Sequence, residues 1–217
     1  MTLLAEDLLL LLLDDETGAP LVDGTRMPRV LAGAVLLELA LSDVVTPAED
    51  GEDVKKGRLV VRRDPPDDDV LADAVTTIRE RTPMKPRPAI ERLAKNLQPT
   101  ILERLVDAGW VREERSRVLG VFPRTRWPEV DGTHERELRT ELRAALIDGL
   151  DPRERTAALV ALLSAVGAAP KVFPDADKKA LERRAKEIAQ GNWAGEAVRK
   201  AVEAIDAAVL VAVVVPV

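Results

Sequence analysis

The sequence contains no cysteine, one histidine and few aromatic residues. Without cysteine there is no disulfide scaffold, no thiol nucleophile and no cysteine-ligated metal. His134 alone cannot supply the paired imidazoles that most histidine-based metal sites use, and it argues against a histidine-dependent catalytic triad. The aromatic residues are three Trp and two Phe, with no Tyr. The core must therefore consist mainly of Leu, Val and Ala.

The chain also lacks an excess of positive charge. Its 217 residues are 46% hydrophobic and 32% charged, with a formal net charge of -6 and a pI near 5.1. That net charge argues against a nucleic-acid-binding protein that works through bulk charge. The apolar fraction is too high for a disordered protein and sufficient for the core of one large domain.

Long hydrophobic runs are missing as well. Leu8 to Leu13 is a run of six apolar residues, and Ala207 to Val217 is a run of eleven. A spanning helix needs roughly 20 apolar residues. The first run follows Glu6 and Asp7 instead of a basic segment, so it makes a poor signal peptide. We expect both runs to be buried elements of a cytoplasmic protein that is at most peripheral to a membrane.

The spacing of apolar residues and turn signals predicts a mainly α-helical domain with one or two β-hairpins. Leu8–Leu13 fits a buried strand or a helix equally well, and Pro83, Pro86 and Pro88 predict irregular structure across that stretch. One strand is expected at 58–63, and a hairpin from segments 110–114 and 118–122 around the turn 115–117. Helices are predicted at 30–41, 69–80, 89–97, 100–108, 134–147 and 153–166, then from Asp175 or Asp177 to 189, and from Asn192 or Gly195 to about 214.

The sequence contains no catalytic constellation. It has no glycine-rich phosphate loop, no pair of metal-binding histidines and no Gly-x-Ser-x-Gly motif. The acidic clusters 14–16, 49–50 and 67–69 all lie beside turn residues, so we interpret them as solvated turns or helix caps. His134 begins a predicted helix and is expected at the surface. These features predict a protein that is not an enzyme and uses no cofactor and no metal.

Positive charge is concentrated in one segment. Arg79 to Arg126 contains twelve Lys or Arg against six Asp or Glu, a net charge of +6, which leaves -12 for the rest of the chain. Trp110, Phe122 and Trp127 lie in or beside this segment. Basic groups around exposed apolar side chains suit an anionic membrane surface. The alternative is a helix–hairpin unit whose charges are solvated and whose Trp110 and Phe122 belong to the core.

The order of segments resembles a known family. An N-terminal leucine run and an Asp-rich turn precede LAGAVLLELAL (Leu31 to Leu41), and ILERLVDAGWVREERSRVLGVFPRTRWPEVD follows at Ile101 to Asp131. This order is similar to the Golgi phosphoprotein 3 family in its bacterial, actinobacterial-like form, over nearly the whole chain. The residues that carry the match are Gly33, Leu36, Glu38, Leu39, Ala40, Leu41, Glu103, Arg104, Leu105, Val106 and Gly109.

The resemblance implies one domain over residues 1–217, helical-bundle-like, with a protruding β-hairpin. Eukaryotic members are peripheral membrane adaptors without enzymatic activity that bind phosphatidylinositol 4-phosphate and the cytosolic tails of membrane enzymes. Their hairpin, here roughly Trp110 to Phe122, is associated with membrane insertion and oligomer contacts. The membrane or oligomer residues expected on this basis are Trp110, Val118, Leu119, Val121 and Phe122.

The head-group residues of the eukaryotic members are only partly present. Asp23 stands where they have Trp, and Ala32 where they have Arg; of a second basic pair, Lys95 keeps its charge and Gln98 does not. Arg26 and Arg29 lie within about a turn of the first two positions and can supply charge there, as a substitution and not as a match. We predict an anionic lipid head-group site at Arg26, Arg29, Arg87, Arg92 and Lys95.

Two other functions fit the sequence. The first is a soluble protein-interaction module, homo-oligomeric through the hairpin and without a lipid site. The second is a winged-helix-like DNA-binding protein, with residues 89–108 ahead of a hairpin wing, because the basic segment is local.

Overall fold

The computed structural model describes residues 2–81, 83–118 and 122–191. Its centre is α1 (Leu4–Leu11), a helix whose eight residues are all buried, and the leucine run is therefore a helix and not a strand. It packs against α2 (Arg26–Leu41), which is also almost entirely buried. The leucines and alanines of these two helices form the middle of the core, as the shortage of aromatic residues predicts.

Three helices surround this pair on one side. They are α3 (Asp69–Arg79), α4 (Pro86–Leu93) and α5 (Leu97–Asp107), and each packs on α2. Asp68 caps α3 by accepting hydrogen bonds from the backbone N–H groups of Val70 and Leu71, at 3.0 and 3.2 Å. The acidic cluster 67–69 thus includes a helix cap, as the sequence predicts.

The prediction of irregular structure across Pro83–Pro88 is wrong from Pro86 onward. Pro86 is the first residue of α4, where a helix needs no backbone N–H and where the fixed φ of proline is favourable. The break between α4 and α5 falls at Asn96, which is left-handed with φ 61°, and not at Pro99. Pro99 lies in the first turn of α5 for the same reason that Pro86 opens α4.

Two antiparallel hairpins are present in the described residues. The first pairs β1 (Val45–Pro47) with β2 (Leu59–Val61). The second pairs β3 (Glu114–Val118) with β4 (Phe122–Arg126), and Val118 lies opposite Phe122. The predicted register is therefore wrong: residues 115–117 belong to a strand instead of a turn, and the chain reverses after Val118.

The remaining helices complete the bundle. They are α6 (Thr133–Leu146), α7 (Glu154–Ala165), the short α8 (Ala169–Val172) and α9 (Lys178–Ala189). Both α6 and α7 pack on α1, and α9 packs on α6, α7 and α8. The mainly α-helical fold with a hairpin is confirmed. The predicted helix beginning at Asn192 or Gly195 and the apolar run 207–217 lie outside the described residues. Within the described ranges, no helix combines the length and hydropathy that crossing a bilayer requires.

Candidate functional site

The hairpin β3–β4 is exposed over most of its length. The side chains from Glu114 to Arg117 are exposed, and so are Pro123 and Arg124 on the returning strand. Opposed residues of an antiparallel pair share a face, so Arg115 and Arg117 lie on one face and Arg124 and Arg126 on the other. The ribbon therefore presents arginine on both faces.

Two of these arginines bond to neighbouring groups of the same chain. Arg115 pairs with Glu113 at 2.8 Å, and Arg126 donates to the carbonyl of Thr17 at 2.8 Å. Arg117 and Arg124 make no ion pair within the part of the chain that the structure describes. They flank the segment Val118 to Phe122, which reads Val-Leu-Gly-Val-Phe. Leu119 and Val121 lie outside the described residues, so their predicted membrane role stays a prediction.

The base of this hairpin is held by both chain segments that enter it. Trp110 precedes β3 and is half-buried against the core, and its carbonyl accepts hydrogen bonds from the backbone N–H groups of Val130 and Asp131. Trp127 follows β4, and its backbone N–H donates to the carbonyl of Gly18 at 3.0 Å. Trp110 thus lies before β3 at the hairpin base, whereas the sequence placed it within the hairpin.

His134 lies against this base and is not the free surface residue that the sequence predicted. Its ring stacks on the indole of Trp110, with ring centroids 4.5 Å apart and an interplanar angle of 18°. Its Nε2 atom lies 2.7 Å from Oδ1 of the buried Asp7. Periodicity could not reveal this pair, because the two residues are far apart in sequence.

The structure divides the predicted head-group residues into two sets. Arg29 forms a bidentate pair with Glu91, with N–O distances of 2.8 and 3.1 Å, and this hydrogen bonding raises the pKa of the guanidinium. Arg26 pairs with Asp23 at 3.2 Å. Both cations are therefore committed to carboxylates of the same chain.

Arg87, Arg92 and Lys95 make up the second set. All three are exposed, and none makes an ion pair in the described segments of the chain. Arg92 and Lys95 line a cleft of about 330 Å³ between α3 and the α4–α5 junction. Hydroxyl and carboxylate side chains complete its polar lining: Thr76, Thr77, Thr100, Asp73 and Glu80. Arg87 lies on α4 outside this cleft.

The helix α5 connects this cleft with the hairpin. Asn96, Leu97 and Thr100 at its start line the cleft, and the chain reverses after its end at Gly109, which has φ 75°. A groove of about 760 Å³ separates α5 from the hairpin, and both Gln98 and Arg115 line it. Side chains of α5 and of the hairpin thus face each other across this groove.

Beneath the hairpin base lies a cluster of buried charges, which we call the α1 charge cluster. It consists of four carboxylates and two guanidiniums: Glu6, Asp7, Glu38, Asp68, Arg104 and Arg155. Arg104 bridges Glu6 and Asp68 at 2.6 and 2.8 Å. Arg155 bridges Asp7 and Glu38 at 2.7 and 3.0 Å. Burial raises the pKa of Glu38, although Arg155 and the backbone N–H of Leu4 oppose that effect.

A separate buried carboxylate lies next to His134. Glu135 is 4% exposed and accepts a hydrogen bond from Arg139 at 2.7 Å, and Arg139 also bonds Asp15 and the carbonyl of Val172. Burial raises the pKa of Glu135 to about 7, and Arg139 only partly offsets this effect. Nothing in the sequence pattern distinguishes Glu135 from the other charged residues of its helix.

Among the described residues, no group of three or more His, Asp or Glu side chains is placed to hold a metal ion. The charged clusters instead join helices to one another.

Comparison with known proteins identifies the fold. No curated protein matches the chain. A family model described as Golgi phosphoprotein 3 (GPP34) matches residues 4–205, which include the buried helix pair, the cleft and the hairpin. The chain therefore belongs to the Golgi phosphoprotein 3 family.

Proposed function

We propose that this protein is a peripheral membrane protein that binds surfaces rich in anionic phospholipid. The hairpin β3–β4 is the element that contacts the membrane, and Arg92 and Lys95 bind a phosphate-bearing head group. The eukaryotic relatives bind phosphatidylinositol 4-phosphate; the proposal for this chain is the wider class of anionic phospholipids.

The exposed hairpin is the observation that carries the proposal. Its strands expose arginine on both faces, and Arg117 and Arg124 flank a connecting segment composed of apolar residues and glycine. Each Lys or Arg near an anionic surface contributes about 1 kcal/mol, and each Å² of apolar area removed from water about 25 cal/mol. Cations beside an apolar tip combine the two contributions that interfacial binding uses.

The cleft between α3 and α4–α5 supports binding of a head group. Arg92 offers a planar fork of donors and Lys95 a compact charge, and both geometries suit phosphate oxygens. Threonine hydroxyls beside them can donate further hydrogen bonds. Asp73 and Glu80 line the same cleft and would repel a highly charged ligand, so a head group of low charge fits best.

Vesicle flotation tests the proposal. Phosphatidylcholine vesicles are compared with vesicles that also contain phosphatidylserine or phosphatidylinositol 4-phosphate, adjusted to equal charge. The wild type should float with both anionic vesicles and not with the neutral ones. Binding to all three alike, or to none, would overturn the proposal.

Charge-reversed variants test the hairpin and the cleft separately. Arg117→Glu with Arg124→Glu should abolish flotation with either anionic lipid. Arg92→Glu with Lys95→Glu should leave flotation with anionic vesicles in place and should remove only the preference for phosphatidylserine, the head group of lower charge, that the cleft gives the wild type. The matched control is Lys179→Glu with Lys186→Glu, which makes the same charge change on α9, at two exposed residues. That control should float like the wild type.

A soluble interaction module is the second candidate, and one observation favours it. Arg26 and Arg29 are paired with Asp23 and Glu91, so two of the five predicted head-group cations are not free. If the protein is such a module, reversing the charges of Arg92 and Lys95 should leave its binding to protein partners unchanged. The DNA-binding alternative is disfavoured, because the exposed face of α5 carries Glu103 and Asp107, which would repel phosphate.

A further inference from the structure

The only histidine of the chain lies between the hairpin base and the α1 charge cluster. One side of His134 faces Trp110 and its Nε2 atom faces Asp7, while its side chain keeps 24% exposure to solvent. A titratable ring that contacts the hairpin base on one side and a buried carboxylate on the other can transmit a change of charge.

We propose that His134 is a proton-sensitive clamp on the hairpin: protonation strengthens its hold on Trp110 and restricts the motion of the hairpin base. The clamp acts within the isolated protein, so it does not depend on membrane binding.

The physical reason is that both neighbours of the ring attract a cation. An imidazolium next to the carboxylate of Asp7 gains Coulomb energy in a poorly solvated environment. The same imidazolium over the face of the Trp110 indole gains a cation–π contribution that the neutral ring lacks. The α1 charge cluster contains more carboxylates than guanidiniums, so it accommodates a further positive charge.

The groups facing His134 come from several elements. Asp7 comes from α1, and Arg155 of α7 shares that carboxylate and opposes protonation. Glu38 of α2 draws Arg155 to its other side. Glu129 and Asp131 lie in the segment that precedes α6. Glu135 is the next residue of α6 itself.

Trp110 gives the clamp its effect on the hairpin. The backbone N–H of Trp110 donates to the carbonyl of Leu105 at 3.1 Å, and its backbone carbonyl accepts from the N–H of Val130 at 2.8 Å. Trp110 therefore joins the chain segments on both sides of the hairpin. A firmly held Trp110 therefore limits separation of the two chain segments that enter the hairpin. A loosely held indole allows the exposed ribbon to move about its base.

Amide hydrogen exchange without lipid tests the proposal. Exchange in segments 112–118 and 122–127 is compared at pH 5.5 and pH 8, after correction for the intrinsic dependence of exchange on pH. Protection of the wild-type hairpin should be about fivefold greater at pH 5.5, the size of a partly exposed cation–π contact. His134→Gln keeps a hydrogen-bond donor for Asp7 but does not titrate, so it should lose this difference.

Glu135 supplies the control, because its pKa of about 7 makes it titrate in the same range. Glu135→Gln should keep the pH difference in hairpin protection. If His134→Gln keeps the difference, or if Glu135→Gln abolishes it, the proposal is wrong.

A measurement on the unaltered protein covers the case in which His134→Gln is unfolded. The single imidazole gives one set of ring signals in a nuclear magnetic resonance titration, and the midpoint of that titration should coincide with the midpoint of the change in hairpin protection. Two separate midpoints would also overturn the proposal.

Discussion

At the scale of single residues, the structure depends on charges that are buried beside the N-terminal leucine run. Asp7 has a side chain 1% exposed, yet it lies in a helix of leucines. Carboxylates at such positions are stable only when hydrogen bonds and opposite charges replace water. Arg155 supplies most of that replacement for Asp7 and Glu38, since it bonds both.

The first prediction concerns Arg155. Arg155→Met should lower the free energy of unfolding by about 3–5 kcal/mol, because it leaves two buried carboxylates without their cation. Arg153→Met is the matched control. Arg153 is 85% exposed and contacts Glu141 only at 3.4 Å, so its loss should cost no more than about 0.5 kcal/mol. Denaturant unfolding of both variants makes the comparison; equal losses would show that the buried pair contributes little.

The second prediction concerns Glu135 and pH. Burial raises the pKa of this carboxyl to about 7 in the folded protein, above its usual value of 4.5, so the folded state binds the proton more tightly. Its contribution to stability is present below pH 4.5 and is lost as pH rises toward 7. The shift corresponds to roughly 3 kcal/mol.

Comparison with Glu135→Gln isolates that contribution. From pH 4.5 to pH 7.5, the free energy of unfolding of the wild type should fall relative to that of Glu135→Gln, by up to roughly 3 kcal/mol. Parallel curves for the two proteins would contradict the prediction. The other carboxylates cancel in this comparison because both proteins contain them.

At the scale of elements, the turn after α1 fixes the hairpin from below. Gly18 has φ 60°, and a Cβ atom there would lie 2.2 Å from the backbone nitrogen of Pro128. Only glycine permits both this left-handed conformation and this close approach. The carbonyls of Thr17 and Gly18 then accept hydrogen bonds from Arg126 and Trp127.

The third prediction follows from this contact. Gly18→Ala should destabilise the protein by about 2 kcal/mol or more, because it adds a steric overlap to backbone strain. It should also speed amide exchange in β4. Gly24→Ala is the control, since nothing lies within 4 Å of a Cβ atom at that position. Similar unfolding midpoints for the two variants would show that the contact does not hold the hairpin base.

Most elements were predictable from the sequence because periodicity and capping are local. The helices α2, α3, α6, α7 and α9 begin and end within a few residues of their predicted bounds. Pro86 shows where local rules need care: proline ends a helix from within but can also begin one, and the apolar residues after it decide which. The hairpin register was missed because strands of mixed charge show no alternation of apolar residues.

The candidate site was less predictable than the fold. The basic segment and the hairpin could be recognised from composition, but not the pairing that removes Arg29 from the surface. That pairing joins residues 62 positions apart, and no spacing rule reports such contacts. The same holds for the stack of His134 on Trp110, because it joins the start of α6 to the segment before β3, which are not adjacent in the sequence.

At the scale of the whole molecule, one helix links the proposed head-group cleft with the hairpin. The helix α5 borders the cleft with Arg92 and Lys95 at its start, and it leads into the hairpin at its end. The buried pair α1–α2 and the α1 charge cluster hold these parts in a fixed relation.

The absence of cysteine makes the central claim directly measurable. Leu119→Cys places a unique thiol in the segment that connects β3 and β4, and an environment-sensitive fluorophore attached there reports whether the segment enters the lipid. Lys179→Cys, on the exposed face of α9, is the matched label position. With anionic vesicles, the probe at position 119 should shift to the blue and be quenched by lipids carrying a quencher in their acyl chains, while the probe at position 179 should do neither. An unchanged spectrum at position 119, or equal responses at both positions, would contradict membrane contact through the hairpin.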